Sequence, residues 1–249
     1  MLEIRNLSKS FDGVQAVQDV SLSVRDGKIT SLIGPNGAGK TTVFNIITGY
    51  VAADRGDAVY GNTPLGNLTP WKVARLGLSR TFQNLRLFRK MTVQENILLG
   101  IQKQKGESFL NALLRFSSVS PEHKAALRKA RELVEFVGLE QLSDELAENL
   151  SYGQQKLLSI ACCLATEPML LLLDEPVAGV QPEMIKKIES VLQGLVKDQG
   201  KTIFLIEHDI DFVLRVSDTV VVMDDGKKIT EGVPDSIRSN GEILEAYLS

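Results

Sequence analysis

One stretch constrains the fold of this chain more than any other: Gly34-Pro35-Asn36-Gly37-Ala38-Gly39-Lys40-Thr41-Thr42. A short apolar run, Ile29 to Ile33, precedes it, and a segment that can be helical, Lys40 to Tyr50, follows it. Gly34, Gly39, Lys40 and Thr41 satisfy G-x-x-x-x-G-K-[ST] in a strand–loop–helix context. The spacing has a chemical reason. A phosphate chain needs many N–H donors converging on one point, and glycines let the backbone curl around it without a side chain in the way. A helix starting near Gly39 adds its free N–H groups and roughly half a positive charge. Lys40 is predicted to reach the β- and γ-phosphates, and the Thr41 hydroxyl to hold Mg²⁺. An ordinary glycine-rich turn would satisfy the pattern without the context; here both agree. The loop predicts a nucleotide and leaves open what its energy is used for.

The rest of the composition narrows the class. A length of 249 residues suits one large α/β domain, or a core with a smaller lobe. A net charge of −3 gives no electrostatic case for a nucleic-acid partner. Cys162 and Cys163 are adjacent, poorly placed for a bridge and too few for a metal site, so they read as small buried hydrophobes in a reducing compartment. Met1–Ser10 mixes charged with apolar residues, unlike a secretion signal. No run approaches the roughly 20 apolar residues of a membrane span. The expectation is a chain soluble by itself, with any membrane role supplied by a partner.

Along the chain, Leu2–Leu7 and the alternating Val20, Leu22 and Val24 read as an antiparallel lobe leading into the core strand before the loop. Asp57–Tyr60 reads as a further strand. Thr69-Pro70 starts a helix that Gly77 ends, and Leu78 to Phe82 is a strand running into Gln83. From Met91 to Gly138 the texture is helical, broken by an irregular polar insertion at 102–122. The helix opened by Ser120-Pro121 places Leu127, Leu133, Val134 and Val137 on one face. Ser151-Tyr152-Gly153-Gln154 is a capping box before an apolar helix. Met169–Leu173 and Thr202–Ile206 are continuous apolar runs, as in parallel strands buried on both faces. Between them Pro182 opens an amphipathic helix to about Gln199, and a helix near Ile210–Val216 follows. Asp218–Met223, the Asp225-Gly226 turn and Lys228–Glu231 form a hairpin, and two short helices close the chain.

Ligands of open α/β sheets lie outside the carboxyl ends of the strands. Asp174 and Glu175 end one buried strand, so Asp174 can serve Mg²⁺, directly or through water, and Glu175 can orient the attacking water or take its proton. His208 follows the next buried strand, at the same crevice, as a γ-phosphate contact. Gln83 also sits at a strand end, where a neutral amide can serve Mg²⁺ or water. Phe11 can stack on an adenine ring, although taken alone it reads more readily as a core aromatic, as most are.

In this order these residues resemble one family, the ATP-binding subunits of ABC transporters. Gly34–Thr42 looks like the Walker A loop of that family, and Leu150 followed by Ser151-Tyr152-Gly153-Gln154-Gln155 is similar to its L-S-G-G-Q signature. Leu170–Asp174 with Glu175 resembles Walker B and the catalytic glutamate, Gln83 the Q-loop and His208 the switch histidine. Phe11 lies 29 positions before Lys40, as the adenine-stacking aromatic does, and Ala16 is carried over with it as nucleotide-binding. The resemblance implies the ABC ATPase fold: an α/β P-loop NTPase core, with a mostly parallel sheet and flanking helices, an N-terminal antiparallel β lobe and an inserted α-helical subdomain. Residues 1–249 would then be a single ABC ATPase domain, with core and lobe in 1–90 and 165–249 and the helical subdomain in about 91–164, including the insertion.

The same resemblance implies ATP and Mg²⁺ as cofactors, with Glu175, His208 and Gln83 catalytic and Thr41, Gln83 and Asp174 toward the metal, Asp174 through water. It implies a head-to-tail dimer with a second ATPase subunit, identical or a paralogue. Ser151, Tyr152, Gly153 and Gln154 of one chain would act in trans on the nucleotide of the other. Leu87 and Phe88 would couple to a transmembrane permease, fed indirectly by a solute-binding protein. The location implied is the cytoplasmic side of the inner membrane, peripheral through the permease.

Two positions depart from the family pattern. Tyr152 replaces the first glycine of the signature pair, so its ring must point away from the phosphates, and Gln181 stands where the D-loop usually has Asp. Within the family, the branched-chain amino-acid uptake ATPases of the LivG type are most similar. The likeness rests on Arg80-Thr81-Phe82-Gln83-Asn84-Leu85-Arg86-Leu87-Phe88, Met91-Thr92-Val93, Glu95-Asn96, the insertion, Tyr152, Ala178-Gly179 and the ending Glu245-Ala246-Tyr247-Leu248. Urea and amide uptake ATPases and lipopolysaccharide-export ATPases share part of this pattern. A soluble ABC ATPase of repair or translation would need paired ATPase domains or long coiled-coil insertions, and a GTPase an N-K-x-D sequence; neither pattern occurs. Intact Glu175 and His208 speak for hydrolysis over a nonhydrolytic relative.

Overall fold

Alternation and turn chemistry set the first third of the chain. The computed structural model describes residues 1–82, 85–101 and 121–239. Strands β1 (Leu2–Phe11) and β2 (Val14–Val24) pair antiparallel across the Asp12-Gly13 turn, and β3 (Ile29–Ile33) is buried at every residue. Helix α1 (Lys40–Ile47) stops three residues short of Tyr50. Gly49 takes φ 74°, a conformation that ends a helix, and donates to the Ile46 carbonyl at 3.1 Å. β4 (Arg55–Tyr60), β5 (Thr63–Pro64), α2 (Pro70–Arg75) and β6 (Leu78–Arg80) follow. β6 is two residues shorter than the expected strand; just beyond it the Thr81 N–H donates to the Leu172 carbonyl at 3.0 Å and the Thr81 hydroxyl accepts from the Asp174 N–H at 3.0 Å.

Helix α3 (Val93–Gly100) opens on a capping box in which Thr92 and Glu95 satisfy each other's N–H groups. Helix α4 (Pro121–Phe136) buries Ala126, Ala130 and Val134, while Leu127 and Leu133 of the expected face are half-buried. The small alanines hold the centre of that face, which an apolar count alone underweights. Helix α5 (Tyr152–Leu164) has the expected box. β7 (Leu170–Asp174), α6 (Pro182–Lys197), β8 (Thr202–Ile206), α7 (Ile210–Val216), β9 (Thr219–Asp224), β10 (Lys227–Gly232) and α8 (Pro234–Arg238) complete the described elements. α6 ends two residues early, where the Gly200 N–H turns back to Val196. The second closing helix, Gln83 and most of the 102–122 insertion lie outside the described residues.

The strands form a four-stranded antiparallel sheet, β2-β1-β4-β5, and a six-stranded sheet, β10-β9-β3-β8-β7-β6. In the second, β9, β3, β8, β7 and β6 are mutually parallel and β10 is antiparallel at the edge. The neighbours β3, β8, β7 and β6 therefore end side by side. The phosphate-loop sequence, His208, Asp174-Glu175 and the segment toward Gln83 leave from those four ends.

The chain divides into two compact units. The first comprises Met1–Gln83, Pro168–Ala178 and Ile185–Ser249, and the second Asn84–Glu167 and Gly179–Met184. In the first, Phe44 of α1 packs on Phe204 of β8 with ring centroids 5.0 Å apart, inside a core that includes Leu32, Ile47, Leu172 and Ile206. Each such fully buried side chain contributes about 1.5–3 kcal/mol. In the second, α3 lies against α4 and α5. Gly100 allows that approach: a Cβ there would stand 2.9 Å from the Cys162 carbonyl. Cys162 and Cys163 are both free thiols, and burial raises the pKa of Cys162. No helix among the described residues is long and apolar enough to cross a membrane.

Candidate functional site

The phosphate-loop sequence owes its shape to two close approaches and two left-handed residues. Gly37 and Gly39 sit at φ 87° and 92°. A Cβ on Gly34 would stand 2.2 Å from the Met223 carbonyl oxygen, and one on Gly39 2.1 Å from that of Ala16. Only glycine fits either place. Ala16 is thus brought against the loop by its backbone. Pro35, Asn36 and Gly37 are exposed, Ala38 is buried, and Thr41 and Thr42 occupy the first turn of α1, Thr41 exposed and Thr42 half-buried. The buried Lys40 ammonium donates back to the Gly34 and Pro35 carbonyls at 2.5 and 2.9 Å. Burial lowers its pKa, against the pull of the Glu175 and Asp174 carboxylates. That pull places both acids within electrostatic reach of the ammonium.

Asp174, the last residue of β7, is buried and ion-paired. Arg80 Nη2 donates to its Oδ2 at 2.9 Å, and Arg80 Nη1 donates to Asn45 Oδ1 on α1 and to Oγ1 of Thr48, which caps the end of α1, at 2.8 and 3.1 Å. The guanidinium carbon lies over the Phe44 and Phe82 rings, 5.4 and 5.3 Å from their centroids. One side chain thus joins the helix carrying Lys40, the strand carrying Asp174 and the strand leading to Gln83. Its sequence neighbourhood marked it only as a subgroup resemblance.

Glu175 follows at φ 51°, a backbone region uncommon for a side chain of this kind, and its N–H donates to the Ile206 carbonyl at 2.9 Å. Such strain concentrates at functional positions. The His208 imidazole stands 3.9 Å from the Glu175 carboxylate and 3.8 Å from that of Glu207, both measured from Nδ1. Glu207 is completely buried and accepts N–H bonds from Val177, His208 and Asp209. Burial raises its pKa, and the three donors pull it down. Position beside His208 is the one sequence signal it carries.

Phe11 ends β1 with 43% of its surface exposed and the Lys9 ammonium 5.3 Å from its ring centre. Exposure rules out the core alternative for this aromatic. In the second unit, Ser151 caps α5: its hydroxyl accepts from the Gln154 N–H at 3.4 Å, while Gln154 Oε1 accepts from the Ser151 N–H at 2.8 Å. Gly153 is required by packing, since a Cβ would meet Met184 Cγ at 2.5 Å. Tyr152 is half-exposed, beside Gly179 and under the Lys156 ammonium at 5.4 Å. Phe88 is 60% exposed and Leu87 half-buried. The turn that presents them is held by buried Asn96, whose side chain bonds the Phe88 N–H and carbonyl and the carbonyls of Met91 and Thr92.

The first unit therefore assembles Lys40, Asp174, Glu175 and His208 around one set of strand ends, with the loop glycines and Thr41. This geometry fits a phosphate chain. The glycine cradle admits backbone only, and Lys40 is engaged by carbonyls that an anion can replace. It also fits Mg²⁺, a hard cation served by oxygen, through the Thr41 hydroxyl and the Asp174 carboxylate.

The chain belongs to the ABC transporter family, whose profile matches residues 17–178. It is 40% identical over 248 residues to the high-affinity branched-chain amino acid transport ATP-binding protein LivG of Salmonella typhimurium, covering 100% of this chain and 97% of that protein. A solved ADP conformation of an ATP-binding cassette of an ABC transporter is 37% identical with a TM-score of 0.86, covering 100% of this chain and 98% of that one. A dimeric post-hydrolysis cassette bound to ADP and Pi is 25% identical with a TM-score of 0.77, covering 94% of this chain and 99% of that one.

Proposed function

We propose that this chain hydrolyses ATP to drive import of branched-chain amino acids through a separate membrane permease. The convergence of Lys40, Asp174, Glu175 and His208 at adjacent strand ends carries the catalytic part, and full-length similarity to LivG supports the solute. Gly34–Thr42 hold the triphosphate by N–H groups and the Lys40 charge. Thr41 and Asp174, with Gln83, hold Mg²⁺, which neutralises phosphate charge when bound. Glu175 accepts the proton of the attacking water, and His208 contacts the γ-phosphate. Phe11 stacks on adenine.

Ser151, Tyr152, Gly153 and Gln154 of a second copy or a paralogue close each nucleotide from the other side; that a similar cassette is dimeric with ADP and Pi bound supports the pairing of two chains. ATP closes the pair and hydrolysis reopens it. Exposed Phe88 and its neighbour Leu87 pass that motion to the permease, which holds the chain at the cytoplasmic face of the membrane. The helical subdomain, about 91–164, is the part that carries the signature residues.

The experiment is ATPase measurement in vesicles containing chain, permease and binding protein, with Glu175→Gln as the control. A branched-chain amino acid is expected to stimulate turnover. Glu175→Gln should retain ATP in a trapped dimer and lower hydrolysis on the order of 10²-fold or more, as for loss of a general base. Stimulation by an amide or urea alone would move the solute assignment, and unchanged turnover in the variant would remove Glu175 from its role.

A further inference from the structure

Glu207 belongs to none of the motifs, yet it has the site's most deeply buried carboxylate, with no exposed surface. A carboxylate out of water is costly unless its oxygens are hydrogen-bonded. Here the two oxygens serve different loops. Oε1 accepts from the Val177 N–H at 2.8 Å, in the loop after β7, two residues beyond Glu175. Oε2 accepts from the N–H groups of His208 and Asp209 at 2.9 and 3.4 Å, in the loop after β8. The Glu175 N–H to the Ile206 carbonyl adds a backbone tie between the same two strand ends. N–H bonds to an ionised carboxylate are roughly twice as strong as those to a neutral acceptor.

We infer that Glu207 is a positioning residue that locks the Glu175 loop to the His208 loop, so that the proton acceptor and the γ-phosphate contact keep one relative geometry. The inference rests on the roles proposed above for Glu175 and His208. The choice of a carboxylate is part of the argument. Gln at 207 offers one acceptor and turns an NH₂ toward the N–H groups of the other loop, so the volume stays and one tie is lost. Asp keeps the charge but is one methylene too short to span both loops. A role in folding alone needs no link to turnover. A positioning role puts the loss in catalysis, because misplacement of a reacting group by about 1 Å can cost on the order of 10²-fold in rate.

The test reads kcat and ATP affinity separately in Glu207→Gln and Glu207→Asp, with amide hydrogen exchange at Val177 and His208. The expected result is a kcat lower by about 10-fold or more in both variants. ATP dissociation constants should stay within about twofold, because the side-chain hydrogen bonds of Glu207 go to Val177, His208 and Asp209, none of them in the phosphate loop. In the unaltered protein, Val177 and His208 should exchange as one cooperative unit, a measurement that needs no variant to fold. Independent exchange of the two amides overturns the proposal, as does an unchanged kcat per folded site whatever happens to the melting temperature. Glu175→Gln run alongside separates the two readings. If it is inactive while the Glu207 variants turn over normally, only the positioning role fails; if it turns over normally, the reading beneath it fails.

Discussion

Helices α1 and α5 both present their N-termini as candidate phosphate contacts, but they are built in opposite ways. The N-cap of α1 is Gly39, which has no side chain to bond the first turn, and that turn contains no acid. Its free donors and the buried Lys40 are left for a ligand. The N-cap of α5 is Ser151, and with Gln154 it completes a capping box. The box satisfies two N–H groups of that helix end without a ligand, those of Ser151 and Gln154, and what remains for a phosphate is the Ser151 hydroxyl proton with the N–H groups of Tyr152 and Gly153. The first terminus is organised to receive an anion, and the second to stand alone until one is brought to it. This difference fits a nucleotide held first by α1 and covered later by α5 of another copy.

The contrast breaks most sharply at Gly39. Alanine there adds a Cβ 2.1 Å from a backbone carbonyl that cannot swing aside, at φ 92°. Gly37→Ala has the same kind of φ, 87°, but meets nothing within 4 Å. Nucleotide titration is expected to show Gly39→Ala weakened by about 100-fold or more, since overpacking and left-handed strain add to roughly 3 kcal/mol. Gly37→Ala should lose only the strain part, about 1 kcal/mol or fivefold. Equal losses would mean that conformation alone, and not the close approach to Ala16, shapes the receiving terminus.

A smaller effect separates the two uses of Ser151. Ser151→Ala removes cap and hydroxyl together and should lower stability by about 1 kcal/mol, whereas Ser151→Gly keeps most of the cap and should lose only a few tenths. If the hydroxyl also meets a phosphate across a dimer, both variants should lose a similar factor in kcat, about 10-fold for one hydrogen bond to a charged group. Turnover that follows the melting temperatures would leave Ser151 as a cap and nothing more.

The same contrast explains what was legible in the sequence. Glycine spacing, Ser151 to Gln154 and the apolar runs of β3, β7 and β8 act through local backbone rules, so the loop, the capping box and three central strands could be read along the chain. Arg80 and Glu207 act through bonds to residues 94 and 30 positions away. No period or motif reports such pairs; only the sheet order that places β6, β7 and β8 side by side does. The sequence pattern overruns the ends of α1 and α6 by two or three residues, where Gly49 and Gly200 take positive φ and turn the chain out of the helix.

Phe11 sharpens the receiving side at its outer edge and carries the smallest effect. It ends β1, while Ala16, five positions on in β2, presses its carbonyl toward Gly39, so the hairpin joins an exposed aromatic to the base of the loop. A ring with 43% of its surface exposed contributes little to the core, and its removal should hardly move the melting temperature. Stacked on adenine, the ring should contribute about 1 kcal/mol, so Phe11→Ala is expected to raise the ATP dissociation constant about fivefold. Phe11→Trp, with a larger face, should restore or exceed the native value. Inorganic triphosphate, which lacks the base, should bind Phe11→Ala as tightly as the unaltered chain. A loss that is equal for triphosphate and ATP would place the effect in the hairpin's support of Gly39, and so on the phosphate loop itself.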